Sequence, residues 1–256
     1  MFLEERHAKI LDMLNRDGKV LVKELAEIFG VTEDSIRKDL SSLELDGKLK
    51  RTYGGAVSIS EKLQMTEANR RRISDVESKR KIAAAAVRLM QPQDLIFLDI
   101  STISIAIAQI LEKSDGNYKI LTNMVDVLVM LARNPKIQLY FAGGKINQSR
   151  DGFSDVLNLE FISRFRPDIA FIGAFGVDIK KNSLTSRDTA GGVLKARMIE
   201  FSKTSYIIAE SRKIGTESSY QFAALDKVDG IITETELPAA LTSAAENLGV
   251  RIIVAK

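Results

Sequence analysis

Residues 18–57 read GKVLVKELAEIFGVTEDSIRKDLSSLELDGKLKRTYGGAV. Val22, Leu25, Ala26 and Phe29 recur at helical spacing and stop at Gly30. Thr32 then offers an N-cap oxygen, and Glu33 and Asp34 stand favourably against the dipole of a following helix. In that helix Ile36, Leu40 and Leu43 fall at i, i+4 and i+7, with a stop at Asp46-Gly47. Beyond it, Gly54-Gly55 separates two β-prone runs, a hairpin signal. Upstream, Leu3, His7, Ile10, Leu11 and Leu14 predict one more amphipathic helix, ended near Asp17-Gly18. Three helices followed by a hairpin predict a winged helix-turn-helix over residues 1–60. Its third helix suits the DNA major groove and its wing the backbone or minor groove.

If Ile36, Leu40 and Leu43 are buried, the opposite face of the third helix carries Asp34, Lys38, Ser41 and Leu45, flanked by Ser35, Ser42 and Arg37. Arg37 is the candidate for bidentate base readout and Lys38 for phosphate or base. Ser35, Ser41 and Ser42 suit either, and Thr32 opens the same helix. On the wing, Lys48, Lys50, Arg51 and Tyr53 are candidate phosphate contacts. Residues 1–60 hold 10 Lys and Arg against 11 Asp and Glu. DNA binding here therefore depends on local placement of charge rather than on a bulk basic field. A protein-interaction module is the competing reading, and the Arg37-Lys38 pair with the basic wing counts against it.

After a polar, patternless stretch read as a linker (61–78), the period changes. An Ala-rich helix (79–90) leads into apolar runs at 95–100, 118–122, 137–143, 169–174, 205–210, 230–234 and 251–255. Helical patterns fill the gaps at 102–113, 124–133, 155–164, 190–203 and 237–248. Continuous β-branched strands alternating with helices predict an α/β domain over 79–256, built on a mostly parallel sheet covered on both faces. The basic residues Arg70, Arg71, Arg72, Lys79, Arg80 and Lys81 are expected on a solvated linker face. Ligands of such sheets sit at the carboxyl ends of strands, near a switch in strand order. There Ser101, Thr102 and Ser104 open a helix in a way that suits a phosphate. Thr122-Asn123 follow the next strand, Gly143, Gly144 and Gly173 permit close backbone approach, and Lys213 offers a point charge.

The stretch 18–57 resembles the winged helix-turn-helix of the DeoR family of bacterial transcriptional regulators. Glu24-Leu25-Ala26, Val31-Thr32, Ile36-Arg37-Lys38-Asp39-Leu40, Leu43, Gly47, Leu49, Arg51 and Gly54-Gly55-Ala56 carry the resemblance. The family's third helix typically reads a hydroxyl residue, Ile or Val, then Arg-Arg-Asp-Leu, and its wing has His before Gly-Gly-Ala; Lys38 and Tyr53 depart from this. The likeness continues more loosely to the end of the chain. It implies a sensor domain similar in fold to ribose-5-phosphate isomerases and CoA-transferases, which binds phosphorylated sugars or related metabolites. It also adds pocket residues: Asp99 of the first loop, Lys195 after Leu194, and Glu210 where the family has Asp. Ala190-Gly191-Gly192 stand where Glu is common, and Ile100-Ser101 where the family has a residue and then Gly. Identifying the effector by analogy is therefore unsafe.

Composition narrows the alternatives. The 256 residues, about 1.7 domains by length, contain no Cys and one His. Disulfides, thiolate chemistry and Cys-based metal sites are excluded, and no metal or cofactor is expected. No apolar run approaches a membrane span. The opening MFLEERHAKI is unlike a secretory leader, so a cytoplasmic location is expected. His7 is expected to be a partly buried helix residue rather than a ligand. The resulting expectation is a non-enzymatic repressor of a carbohydrate operon that binds double-stranded operator DNA as a homodimer or homotetramer and responds to a phosphorylated sugar. The alternative is a sugar-phosphate isomerase with an appended winged helix, for which the inventory of acid–base groups is thin.

Overall fold

The computed structural model describes residues 3–17, 19–58 and 71–255. The chain divides into two compact units, Met1–Arg70 and Arg71–Lys256.

In the first unit α1 (Leu3–Asp17), α2 (Val22–Phe29) and α3 (Glu33–Leu45) surround a core of Ile10, Leu14, Leu25, Ile36, Leu40, Leu43 and Leu49. Gly30 ends α2 in the left-handed region at φ +63, and the Thr32 hydroxyl caps α3 by accepting from the Ser35 N–H. The wing is β2 (Leu49–Thr52) and β3 (Gly55–Ser58). One strand goes beyond the sequence reading. β1 (Lys19–Leu21) pairs antiparallel with β3 and completes a sheet of order β1-β3-β2. Gly54 makes the turn at φ +84, and a Cβ on Gly55 would lie 2.0 Å from the Val20 carbonyl oxygen. The two glycines thus have separate jobs, one in the turn and one in the close pairing.

The second unit is a parallel α/β domain. Its strands are β4 (Leu95–Leu98), β5 (Lys119–Thr122), β6 (Gln138–Phe141), β7 (Ile169–Gly173), β10 (Thr204–Ile208), β12 (Gly230–Thr233) and β13 (Arg251–Val254). They form one seven-stranded sheet in the order β13-β12-β10-β7-β4-β5-β6, every pair parallel. All seven had been expected from their apolar runs. One face is covered by α4 (Val76–Val87), α5 (Thr102–Leu111) and α6 (Val125–Leu131), through Ile82, Ile107 and Val127. The other is covered by α7 (Val156–Ile162), α8 (Thr189–Phe201) and α9 (Ala239–Asn247), through Ile162, Met198 and Ala245.

Two differences have physical reasons. A second antiparallel sheet, β11-β9-β8, forms from Gly176–Asp178 (β8), Ser183–Ser186 (β9) and Tyr220–Ala223 (β11). These strands are three or four residues long and carry Ser, Thr and Gln, so no apolar run marks them. Of the stretch read as a linker, 61–70 lies outside the described residues. Residues 71–73 are helical and α4 starts at Val76, so 71–78 belong to the second unit.

The strand order sets the site. From β4 the chain runs outward through β5 to β6, then returns to β7 on the other side of β4 and continues to β13. The switch point lies between β4 and β7, where ligands of open α/β sheets gather beyond the carboxyl ends.

Candidate functional site

On the first unit, the outward face of α3 forms a shallow concavity of about 450 Å³ lined by Asp34, Arg37, Lys38, Ser41, Ser42 and Leu45. Its make-up agrees with the face read from helical spacing. Arg37 is held by its own helix: its guanidinium donates to Glu33 at 2.6 Å and to Asp34 at 2.9 Å. Ser35 is occupied with the Thr32 cap. Arg51 ties wing to helix, its side chain donating to Ser41 Oγ at 2.5 Å and its backbone N–H to Glu44 at 2.7 Å. Lys48 lies 3.5 Å from Asp46. Lys38, Ser42, Lys50 and Tyr53 are exposed.

Asp39, in the middle of the third-helix motif, faces inward and is 3 % exposed. It accepts from Arg6 Nε at 2.6 Å and Arg6 Nη2 at 3.0 Å, and lies 3.3 Å from His7 Nε2. The pair raises the Arg6 guanidinium above its ordinary value, the hydrogen bond being the main cause. His7 is thus a half-buried helix residue that joins α1 to α3.

On the second unit, four of the residues singled out from sequence meet at the switch point. Asp99, just past β4 and 2 % exposed, accepts from the Gly173 N–H at 2.9 Å and from the Lys195 amine of α8. Ser101 caps α5 through Ser104 N–H at 3.0 Å. A Cβ on Gly173 would lie 2.7 Å from Ser101 Cβ, so that position admits only glycine without displacement. Thr102 begins α5 itself. On the neighbouring strand end the Thr122 hydroxyl donates to the Leu98 carbonyl at 2.8 Å and accepts from Met124 N–H. It fastens β5 to β4. Asn123 donates to the Phe153 carbonyl at 2.7 Å, and its Oδ1 is buried with no partner among the described residues. Gly143 and Gly144 are exposed beyond the edge strand β6, Gly144 against Asp155 at φ +145.

At the end of β10, Glu210 is 2 % exposed and gathers cations. Lys213 Nζ lies 2.9 Å from it, Arg212 3.2 Å and Lys79 3.9 Å. Lys213 also donates to the Ala174 carbonyl at 3.2 Å, which brings it beside the end of β7. Burial alone would raise the Glu210 carboxyl. The Lys213 charge and hydrogen bond, with Arg212, hold it below the usual carboxylate range. Burial holds the Lys213 and Lys79 amines below their ordinary values, against the pull of Glu210.

Residues 6–62 match the DeoR-like helix-turn-helix domain and residues 74–235 the DeoR C terminal sensor domain. The chain belongs to the DeoR family. It is similar to the HTH-type transcriptional regulator YulB of Bacillus subtilis, 32 % identical across 98 % of this chain and 96 % of the relative. The HTH-type transcriptional repressor GlcR of the same organism is 29 % identical across 99 % and 97 %. The glycerol-3-phosphate regulon repressor of Escherichia coli is 28 % identical across 93 % of each. Among solved structures, ribose 5-phosphate isomerase A of Methanocaldococcus jannaschii covers 55 % of each chain at 16 % identity and a TM-score of 0.41, a likeness that bears on fold at most. DeoR proteins are transcriptional regulators and not enzymes, which sets the isomerase alternative aside. The first unit is the DNA-binding helix-turn-helix, and the second is the family's sensor domain.

Two residues of this DeoR chain escaped the sequence reading. Lys79 was expected on a solvated face, but it is 3 % exposed, its amine hydrogen-bonded to the Arg71 and Ser74 carbonyls. It precedes Ile82, Ala83 and Ala86 at i, i+3, i+4 and i+7, the buried stripe of α4. Asp39 stands in the same relation to Ile36, Leu40 and Leu43. The signal was a charge in a buried stripe, where it needs a partner. Among the described residues no cluster of His, Asp or Glu could hold a metal ion, and no helix is long and apolar enough to cross a membrane.

Proposed function

We propose that this protein represses a carbohydrate-metabolism operon in the cytoplasm, binding a palindromic operator as a dimer or tetramer under the control of a phosphorylated sugar. The observation that carries the effector reading is the meeting of Asp99, Ser101, Gly173 and Lys195 at the switch point. The N-terminus of α5 and a lysine amine there favour an anion. The similarity to GlcR, a transcriptional repressor, and to the glycerol-3-phosphate regulon repressor, named for a phosphorylated metabolite, supports repression under a phosphorylated effector.

Arg37, Lys38, Ser41 and Ser42 are the base-facing set on α3, with Thr32 and Ser35 at its start. Lys48, Lys50, Arg51 and Tyr53 meet phosphates from the wing. In the sensor unit Asp99, Ser101, Thr102, Ser104, Gly173 and Lys195 form the pocket, bordered by Thr122, Asn123, Gly143, Gly144, Glu210 and Lys213. The Glu210 cluster binds the pocket's edge to the segment 71–79, through Arg212 to Asp75 at 3.2 Å and Lys79 to Arg71 and Ser74. Ligand at the strand ends would thereby reach the residues that follow the DNA-binding unit.

Isothermal titration with a panel of sugar phosphates and their unphosphorylated parents tests the effector reading. A phosphorylated member should bind, its parent should not, and the bound ligand should shift operator affinity in a gel-shift assay. Equal binding of the free sugar removes the phosphate from the proposal.

A further inference from the structure

α7 carries apolar side chains on both sides, the outward ones interrupted by Glu160. Leu159 and Ile162 point into the core, while Val156, Leu157 and Phe161 stand outward, exposed by 79 %, 67 % and 42 %. A helix at a protein surface ordinarily turns a polar side to water. Elsewhere in this unit α4 exposes Val76 beside Glu77, Arg80 and Lys81, and α8 exposes Val193 beside Arg197 and Glu200, so one outward apolar residue per helix is ordinary; α7 has three. Ile146, 44 % exposed, lies near in the chain, bridged to Phe153 two residues before the Asp155 cap of α7. Phe161 is held in place by Phe165, which in turn meets the edge of Tyr140, with ring centroids 5.2 and 5.3 Å apart.

We propose that this outer face of α7 is the seam through which two copies of the chain pair. The four residues leave on the order of 400 Å² open, within the roughly 300–600 Å² of the largest apolar patch on a typical monomer, which is often functional. Two copies would bury about 800 Å² of it, enough for the apolar centre of an interface of the standard ~1,600 Å². The rim matches itself. Glu160 and Arg164 pair within one chain at 3.1 Å and are 65 % and 75 % exposed. A two-fold axis that sets α7 antiparallel to its mate brings each Glu160 beside the other copy's Arg164, so one patch supplies both halves of an isologous contact. The inference rests on the reading of a paired operator, since helix-turn-helix proteins read two half-sites as symmetric dimers.

The test is light scattering on the full-length chain, with gel shifts on palindromic and single half-site DNA. The wild type should be at least dimeric. Leu157→Glu combined with Phe161→Glu should give a folded monomer, with a melting point lowered by the loss of pairing and of the Phe161–Phe165 contact. Its half-site affinity should be that of the wild type, and its palindrome affinity should fall about a hundredfold as bivalency is lost. Val129→Glu, at another exposed apolar position, should leave the dimer intact. Glu160→Arg should weaken pairing and Glu160→Arg with Arg164→Glu restore it; this pair decides the matter if the double glutamate variant fails to fold. A folded Leu157→Glu, Phe161→Glu variant that stays dimeric overturns the proposal, as does a wild type that is monomeric both free and on palindromic DNA. A wild type that pairs through α7 yet binds no DNA upholds the seam and removes the operator reading.

Discussion

Arg37 is held by Glu33 and Asp34 in the absence of DNA, at 51 % exposure. Exposed pairs of this kind contribute roughly 0–1 kcal/mol, whereas a bidentate contact to a guanine discriminates by about 1–3 kcal/mol. The base contact therefore wins over the intrahelical pairs. Arg37→Ala should lower operator affinity by about 1–3 kcal/mol and relax preference at one position, while Lys50→Ala weakens all sequences alike and reduces the salt slope by about one. Operator preference that survives Arg37→Ala, measured by competition gel shift, places a different face of α3 in the groove. Asp39 presents the opposite case, a charge that never reaches DNA. Asp39→Ala removes two hydrogen bonds from an Arg6 that is only 13 % exposed, and should cost the first unit about 1.5–3 kcal/mol. Asp34→Ala, at an exposed pair, should stay within about 0.5 kcal/mol. Urea unfolding of the two variants compares them directly.

At the scale of elements, the end of β10 and the start of α4 are joined by charge. Glu210 titrates below its unfolded value, so its contribution to stability is complete above the ordinary carboxylate range near ~4.3 and is lost as the pH falls through the lower folded value. Glu210→Gln should flatten that acid limb in melting curves recorded across pH. At neutral pH the same change should cost about 3 kcal/mol, because Lys79 and Lys213 lose their counter-charge in a buried place. An unaltered acid limb would assign the acid sensitivity to other carboxylates. Helices were legible from a buried stripe repeated over several turns, and core strands from unbroken apolar runs, since a parallel sheet is covered on both faces. The short strands β8 (GVD), β9 (SLTS) and β11 (YQFA) were not, since each mixes polar and apolar residues and has no unbroken apolar run.

At the scale of the molecule, the first unit has a core of its own around Leu25, Ile36 and Leu40, and a chain ending at residue 70 should fold, marginally for its size. It should bind a single half-site like the full chain and a palindrome about a hundredfold or more weakly. Equal affinities on the palindrome would place the pairing contacts in the first unit. Local pattern by itself determined the three helices and hairpin of the winged helix-turn-helix, the apolar stripes of those helices, and the seven core strands with the helices between them, because all of these follow from the spacing of neighbouring residues. Tertiary structure decided that β4 lies beside β7, and so that Asp99, Ser101, Gly173 and Lys195 meet while Gly143 and Gly144 lie out beyond the edge strand. It also decided that Lys79 and Asp39 turn inward. Strand order and the partner of a buried charge depend on residues far away in the chain: Gly173 is 74 positions from Asp99, and no local period reaches across that distance.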